Sequence, residues 1–242
     1  EDLDYITISW NPEINLKSRV RAGFFNHVSH PGIRFSSVPN KILTKYKILK
    51  TNDFDYSLQI FRNLKRKKIK IIYLDHHLSH MANAFFLSGF KESIIFSVDG
   101  YGENSCTYIG KGNSKGIKVL ESYKYPQSLG LFYSTITEFL GFEKDKDEWK
   151  VMGMSSYGNS KKYYKKFKKT LSFNQNKYEL NLNYFDFYNF DDRNLFSKKF
   201  INLFGDPRKK IEKIKQKHFD IAAAAQKIFE ETIFNKLNYI KK

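Results

Sequence analysis

Three histidines within five positions give the segment Asp75-His76-His77-Leu78-Ser79-His80 an unusual density of chemically versatile side chains. The segment follows an apolar run and starts a predicted helix. Residues four apart on a helix share a face, so His76 and His80 can present two imidazole nitrogens to one ion. His77 would point about 100° away from that face. The spacing indicates a metal clamp, with a structural cluster of capping or core histidines as the alternative.

Asp99 offers the carboxylate that commonly completes a histidine metal site. It follows the predicted strand Ser93–Val98 and opens the turn Asp99-Gly100-Tyr101-Gly102-Glu103, whose backbone amides could approach a phosphate closely. Imidazole and carboxylate ligands suit Fe, Zn and Mn. Taken alone, the segment also fits a simple Asp-Gly hairpin turn. We predict that His76, His80 and Asp99 are metal ligands.

Two further clusters combine small and aromatic residues with isolated charges, at 125–133 and at 147–154. Within the second cluster, Lys150 could neutralise a phosphate oxygen, or it could pair with Glu148 on the surface. The histidines in His27-Val28-Ser29-His30 lie in a proline-bounded segment without a visible carboxylate partner. We interpret that pair as loop residues outside the site.

The elements that must position these residues follow from hydrophobic periodicity and turn signals. The predicted strands cover 5–10, 69–74, 93–98, 105–110 and 116–124, and the last three of these form a β-meander. The predicted helices cover 55–66, 76–87, 129–141, 160–170 and 219–240, and residues 11–53 are irregular. The helix capped by Asp75 should end at Ser88-Gly89. In the last helix, one face should gather Ile221, Ala225, Ile228, Thr232 and Leu237.

Composition limits the classes of protein that the chain can belong to. Its 242 residues are 41% apolar, enough for a substantial core. The sequence has no run of eighteen apolar residues, and Glu1-Asp2-Leu3-Asp4 does not resemble an export signal, so we expect no membrane association. The single Cys106 excludes an intramolecular disulfide and fits a reducing compartment. We expect a cytoplasmic protein.

The net charge of +17 suggests a polyanion partner, but the kind of basic residue argues against one. Lysine contributes 35 of the 42 basic residues and arginine only seven, as expected from an AT-rich genome. Arginine is the better reader of bases and phosphates, so its scarcity argues against dedicated nucleic-acid recognition. We therefore predict a dispersed lysine surface and no specific nucleic-acid partner.

The order of the clusters resembles carbamoyltransferases related to nodulation proteins and to the cephamycin and tobramycin O-carbamoylating enzymes. In that family the motifs HHxxHxxxAF, VDGxGE, P-x-SLGxFY and DExKVMGxxxYG occur in this order. This chain carries them at His76–Phe85, Val98–Glu103, Pro126–Tyr133 and Asp147–Gly158. The resemblance is strong over roughly residues 70–158 and weaker elsewhere.

The resemblance implies an α/β architecture with an actin-like/Hsp70-like ATPase (ASKHA) fold, present in part, with mixed sheets flanked by helices. Residues 1–92 would form the first subdomain and 93–242 the second. The family's opening hairpin, its GGVALN-like segment and its YrdC-like domain find no match, so we expect a fragment that is inactive alone. In the family, the positions of His76, His80 and Asp99 hold a metal together with a later aspartate.

The implied reaction transfers a carbamoyl group from carbamoyl adenylate, made from carbamoyl phosphate and ATP, to a hydroxyl of a small-molecule acceptor such as a sugar. A divalent metal, Fe first and Zn or Mn as alternatives, would act as a Lewis acid. The resemblance also implies nucleotide contacts from five residues. They are Gly100, Tyr101, Gly102, Ser128 and Lys150. No general base can be assigned.

Two alternatives remain open at the level of sequence. A tRNA threonylcarbamoyl transferase-like enzyme shares the fold and a histidine pair at the same spacing, and the positive charge would suit tRNA. A non-catalytic remnant or interaction protein could keep the fold without the activity. The DGYGE and DEWKVMG segments favour the O-carbamoyltransferase.

Overall fold

The computed structural model describes residues 5–9, 70–188 and 194–241. The predicted helix at 55–66, the irregular segment 11–53 and the histidines at 27 and 30 lie outside these residues. The chain divides into two compact units, Glu1–Tyr125 and Pro126–Lys242. The predicted subdomains at 1–92 and 93–242 stay a prediction. The described part is a mixed α/β structure with helices and largely antiparallel sheets.

The described residues of the first unit form two small sheets and one helix. A parallel pair joins the first two strands, with Tyr5 opposite Lys70, and an antiparallel meander of order β3-β4-β5 follows. The elements are β1 Tyr5–Ile8, β2 Lys70–Tyr73, α1 His76–Leu87, β3 Ser93–Val98, β4 Ser105–Asn113 and β5 Gly116–Lys124. All were predicted within a few residues. Helix α1 ends at Leu87, followed by the C-cap Ser88 and by Gly89 at a φ of +75°, in agreement with the predicted stop at Ser88-Gly89.

Helix α1 lies on the meander because β4 has glycines where the helix has large side chains. A Cβ on Gly110 would come within 2.4 Å of the Met81 side chain, and one on Gly112 within 2.7 Å of the Phe85 ring. Met81 and Phe85 are four residues apart and share the buried face of α1 with Ile95 beneath them. This close approach sets the height of the helix above the strands.

The second unit is mainly helical and packs around phenylalanine. Its elements are α2 Leu129–Phe139, α3 Glu148–Ser155, α4 Lys161–Phe167, β6 Leu171–Asn174, β7 Lys177–Leu180, a 3₁₀ turn Leu182–Tyr184, α5 Lys198–Phe204 and α6 Gln216–Lys241. The fully buried rings pack edge-to-face or tilted. They are Phe132, Phe139, Phe167, Phe185 and Phe200. None of the described helices combines the length and apolar character needed to cross a bilayer.

Helix α6 carries the predicted buried stripe with one correction. Ile221, Ala225, Ile228 and Thr232 are buried, but Leu237 is 38% exposed. Lys236 is buried instead, because its ammonium group donates to the Asn176 carbonyl at the β6–β7 turn. A long cationic side chain can bury its methylene stem when its charged end finds an oxygen partner.

A buried histidine at the start of α6 predicts that the stability of the second unit depends on pH. His218 accepts a hydrogen bond from the Lys215 amide at Nδ1, and burial is the main cause that lowers its pKa below the ordinary 6.5. The unfolded chain binds this proton more readily, so stability should fall as the pH drops below about 6.5. We expect His218→Asn, whose side-chain oxygen can keep the Lys215 bond, to show a weaker loss. Urea unfolding at pH 7.5 and 5.5 measures the difference, and equal losses in the two proteins would contradict it.

Candidate metal centre

The first turn of α1 is fixed by Asp75, which ends the loop after β2. Its Oδ1 accepts from the Leu78 amide at 2.8 Å, the geometry of an N-cap, and its Oδ2 accepts from the Tyr108 hydroxyl at 2.9 Å. With Asp75 as its N-cap, the helix begins at His76, as predicted. With that start, His76 and His80 share one face.

Asp99 reaches the helix from the end of β3. Its backbone amide donates to the Cys106 carbonyl at 3.0 Å, which holds the residue at the mouth of the β3–β4 loop. Its Oδ1 accepts from the Gly100 amide at 2.6 Å. The second carboxylate oxygen, Oδ2, faces the two histidines.

The three predicted ligands converge on one point. The Nε2 of His76 lies 2.8 Å from Asp99 Oδ2, the Nε2 of His80 lies 3.3 Å from the same oxygen, and the two Nε2 atoms are 3.2 Å apart. Among the described residues, this is the cluster of potential ligands that could hold a metal ion. The spacing predicted this convergence, whereas metal occupancy stays a prediction.

The size of this triangle fits a first-row divalent metal. At ligand distances of about 2.0–2.2 Å, neighbouring ligand atoms at right angles lie about 3 Å apart. The three separations, 2.8 to 3.3 Å, are close to that value. The His80 side chain is 53% exposed and Asp99 41%, so the cluster is open to solvent on one side. A groove of about 280 Å³ runs from these two residues along β3 and α1.

The two partners in the closest pair shift each other's pKa. The hydrogen bond to Asp99 is the main cause that raises the pKa of His76, and the same bond lowers the pKa of Asp99 to about 2. His76 Nδ1 lies 3.2 Å from the Ser9 carbonyl, which can only accept. A neutral His76 that donates to Ser9 would direct the lone pair of Nε2 toward His80 and Asp99.

His77 is the structural histidine of the cluster. It is 1% exposed, and its Nε2 donates to the Ser105 carbonyl at 2.8 Å while Nδ1 lies 3.0 Å from the Ser97 hydroxyl. Burial is the main cause that lowers its pKa. His77 thus ties α1 to both β3 and β4 and faces away from the ligand atoms, as the helical phase predicted.

The glycine-rich loop uses its two glycine amides within the loop. The Gly100 amide donates to Asp99, and the Gly102 amide donates to the Ser105 carbonyl at 2.7 Å. Tyr101 is 42% exposed, and its ring makes an edge-to-face contact with the Tyr125 ring, with the two centroids 6.0 Å apart. Nucleotide binding by Gly100, Tyr101 and Gly102 stays a prediction, and a phosphate would have to compete for the Gly100 amide.

Ser128 and Lys150 belong to the second unit. The Ser128 hydroxyl is buried and caps α2 by accepting from the Leu131 amide at 3.0 Å. The Lys150 ammonium pairs with Asp147 at 2.7 Å instead of the Glu148 that the sequence suggested, because Glu148 accepts from the Ser134 hydroxyl. Their predicted contact with a nucleotide is not tested by these bonds and stays a prediction.

Glu103 is a residue that the sequence interpretation left without a role. Its side chain is buried, and both of its oxygens accept from the backbone amide of His76. The available signal was its place at the end of the loop that Asp99 opens. Glu103 is also the last fixed position of the motif VDGxGE, but the motif does not indicate which group the carboxylate contacts.

The sequence matches a protein-family model and several known proteins. The family model for the carbamoyltransferase N-terminus matches residues 1–242. An uncharacterised protein of Synechocystis is 33% identical over 172 residues, which is 70% of this chain and 28% of that protein. Nodulation protein NolNO of Sinorhizobium fredii is 38% identical over 90 residues, 37% of this chain and 13% of that protein. Nodulation protein NolO of Bradyrhizobium diazoefficiens is 30% identical over 170 residues, covering 70% of this chain and 29% of the relative. The chain thus aligns with less than a third of each of these relatives.

The contrast between His77 and His80 gives a prediction. His77→Phe removes two buried hydrogen bonds and leaves the Ser97 hydroxyl without that partner, so the free energy of unfolding should fall by roughly 2–4 kcal/mol. His80→Ala removes a half-exposed side chain and should change it by less than about 0.5 kcal/mol. Urea denaturation of both variants measures this. Equal losses would show that His80 is also structural.

Proposed function

Because the chain belongs to the carbamoyltransferase family, whose N-terminal model matches it throughout, we propose that it forms part of an O-carbamoyltransferase. The enzyme would transfer a carbamoyl group from carbamoyl adenylate to a hydroxyl of a small-molecule acceptor. Carbamoyl phosphate and ATP would supply the adenylate. The relatives include the nodulation proteins NolNO and NolO, and the family match supports carbamoyl transfer as the reaction.

One observation carries the proposal to particular residues: two imidazole nitrogens and a carboxylate oxygen converge within 3.3 Å of one another. These residues belong to motifs shared with the family, at His76–Phe85 and Val98–Glu103. In a merely structural cluster, histidines would be buried and fully satisfied, as His77 is. His80 is instead half exposed beside an open groove.

His76, His80 and Asp99 would hold a divalent metal, Fe first and Zn or Mn as alternatives. When bound, the metal would supply Lewis-acid polarisation of the carbamoyl carbonyl or of the adenylate phosphate. The chain's own residues would orient the reactants around it. The Ser9 carbonyl would fix the tautomer of His76, and the Gly100 amide would hold Asp99 in place.

The nucleotide half of the proposal rests on the motifs and on the expected fold. In an actin-like ATPase (ASKHA) fold, Gly100, Tyr101 and Gly102 of the first unit would contact the adenylate. Ser128 and Lys150 are proposed as nucleotide contacts of the second unit, and the Lys150 ammonium could exchange Asp147 for a phosphate oxygen. That exchange involves a partly exposed ion pair, which is weak.

Binding of a stable adenylate analogue tests the proposal. We expect a sulfamoyl analogue of carbamoyl adenylate to bind the Mn²⁺-loaded chain at least about tenfold more tightly than it binds His80→Ala, because the variant lacks a metal ligand. Isothermal titration calorimetry measures the affinity. EDTA treatment of the wild type should have the same effect as the substitution.

His218→Asn is a matched control, since it removes a histidine of the second unit that is outside the ligand cluster. It should bind the analogue as the wild type does. Analogue affinity that is equal in wild type, His80→Ala and EDTA-treated protein would contradict a role for the cluster in binding the adenylate.

The tRNA alternative gives a separate prediction. Dispersed lysines should bind tRNA only through non-specific phosphate contacts, with dissociation constants of about 10⁻⁴–10⁻⁶ M at physiological salt. Filter binding should show no preference for tRNA over an unrelated RNA of equal length. Binding of tRNA with a nanomolar dissociation constant and with selectivity over the unrelated RNA would favour the hypothesis of a tRNA threonylcarbamoyl transferase-like enzyme.

A further inference from the structure

Glu103 accepts a hydrogen bond from the backbone amide of a predicted metal ligand, His76. Its side chain is 5% exposed, and its two oxygens lie 3.0 and 3.3 Å from the backbone nitrogen of His76. His76 is the first residue of α1. A first-turn amide has no partner inside its own helix, so it must find one elsewhere. Glu103 supplies that partner from 27 residues along the chain.

The same loop therefore holds His76 at two places. Asp99, at the start of the loop, contacts the imidazole ring, and Glu103, at its end, contacts the backbone. Between them, Gly102 packs so closely that a Cβ there would be 3.1 Å from the Cβ of His76. Ring and backbone are both constrained, so the direction of Nε2 depends on the loop as well as on the helix.

We propose that Glu103 is a positioning residue that fixes the backbone of His76 so that its Nε2 meets His80 and Asp99. Glu103 accepts from the backbone of His76 and would act through that residue. The inference rests on the proposed function, because it assumes that the cluster binds a metal. Partners that orient metal ligands typically change affinity by about 10- to 100-fold when they are removed.

Titration with Co²⁺, followed by its visible absorption, tests the effect on the site. We expect Glu103→Ala to weaken Co²⁺ binding by about 10- to 100-fold and to alter the absorption spectrum. Glu103→Gln keeps an oxygen that can accept from His76, so it should restore most of the affinity. A purely structural role would lower the melting temperature of Glu103→Ala without changing the spectrum of the metal-bound protein.

Gly102→Ala provides a second variant if Glu103→Ala does not fold. The added methyl group would lie 3.1 Å from both the His76 Cβ and the His77 ring, so these side chains would shift by a few tenths of an ångström while the Glu103 carboxylate is kept. Weaker Co²⁺ binding and an altered spectrum in this variant support the claim that the loop sets the position of His76. Wild-type affinity and spectrum in a folded Gly102→Ala would count against it.

Amide hydrogen exchange, measured by NMR without metal, tests the contact itself. The His76 amide should be protected in the wild type and in Glu103→Gln, and it should exchange rapidly in Glu103→Ala. If the wild type does not bind Co²⁺ through His80, the proposed function fails, while the exchange result still reports the contact. If the wild type binds Co²⁺ and Glu103→Ala binds it with the same affinity and spectrum, the positioning role is wrong.

Discussion

The docking of the first turn of α1 against the ends of β3 and β4 is the interaction on which the candidate site depends. His77 makes this connection through the Ser97 hydroxyl and the Ser105 carbonyl, inside a water-excluded contact. Buried hydrogen bonds of this kind are expensive to break, because a lost partner leaves a polar group without solvent. The consecutive histidines therefore have different roles, His76 as a predicted metal ligand and His77 as a buried structural residue. His77 fixes the helix so that His76 can face the opening.

Packing farther along the helix enforces the same arrangement. Gly110 and Gly112 let Met81 and Phe85 approach β4 closely, so α1 cannot rotate about its axis without forcing large side chains into the strand. Rotation is the motion that would separate His80 from Asp99. Close-packed interiors resist it because they tolerate few changes of volume. Glycines in the interior of a strand weaken that strand. Here the close packing that Gly110 and Gly112 allow holds α1 in place, which offsets the loss of strand stability.

The sequence predicted the local parts of this arrangement and left out those that depend on distant contacts. The sequence predicts the pairing of His76 and His80 because two residues four apart on a helix share a face, which depends on local structure alone. It predicts Asp99 as the third ligand because ligand residues commonly lie at the ends of strands. Glu103 was overlooked because its contact with His76 depends on the tertiary path of the loop. The helix Glu148–Ser155 and the hairpin at 171–180 were also not predicted. The helix is short and contains Gly153, and the hairpin turns at Gln175-Asn176 with positive φ but without glycine.

Electrostatics give a reason why three acidic residues gather at the first turn of α1. A helix N-terminus carries a partial positive charge, which opposes a bound cation nearby. Asp99 alone, as the single acidic ligand, would leave a divalent ion next to that charge with little compensation. Asp75 accepts from the Leu78 amide and Glu103 from the His76 amide, so each satisfies a first-turn donor that has no partner within the helix. These two carboxylates would stabilise the start of any helix, and their negative charge also lowers the electrostatic cost of placing a cation nearby. Composition alone therefore does not distinguish helix capping from charge compensation.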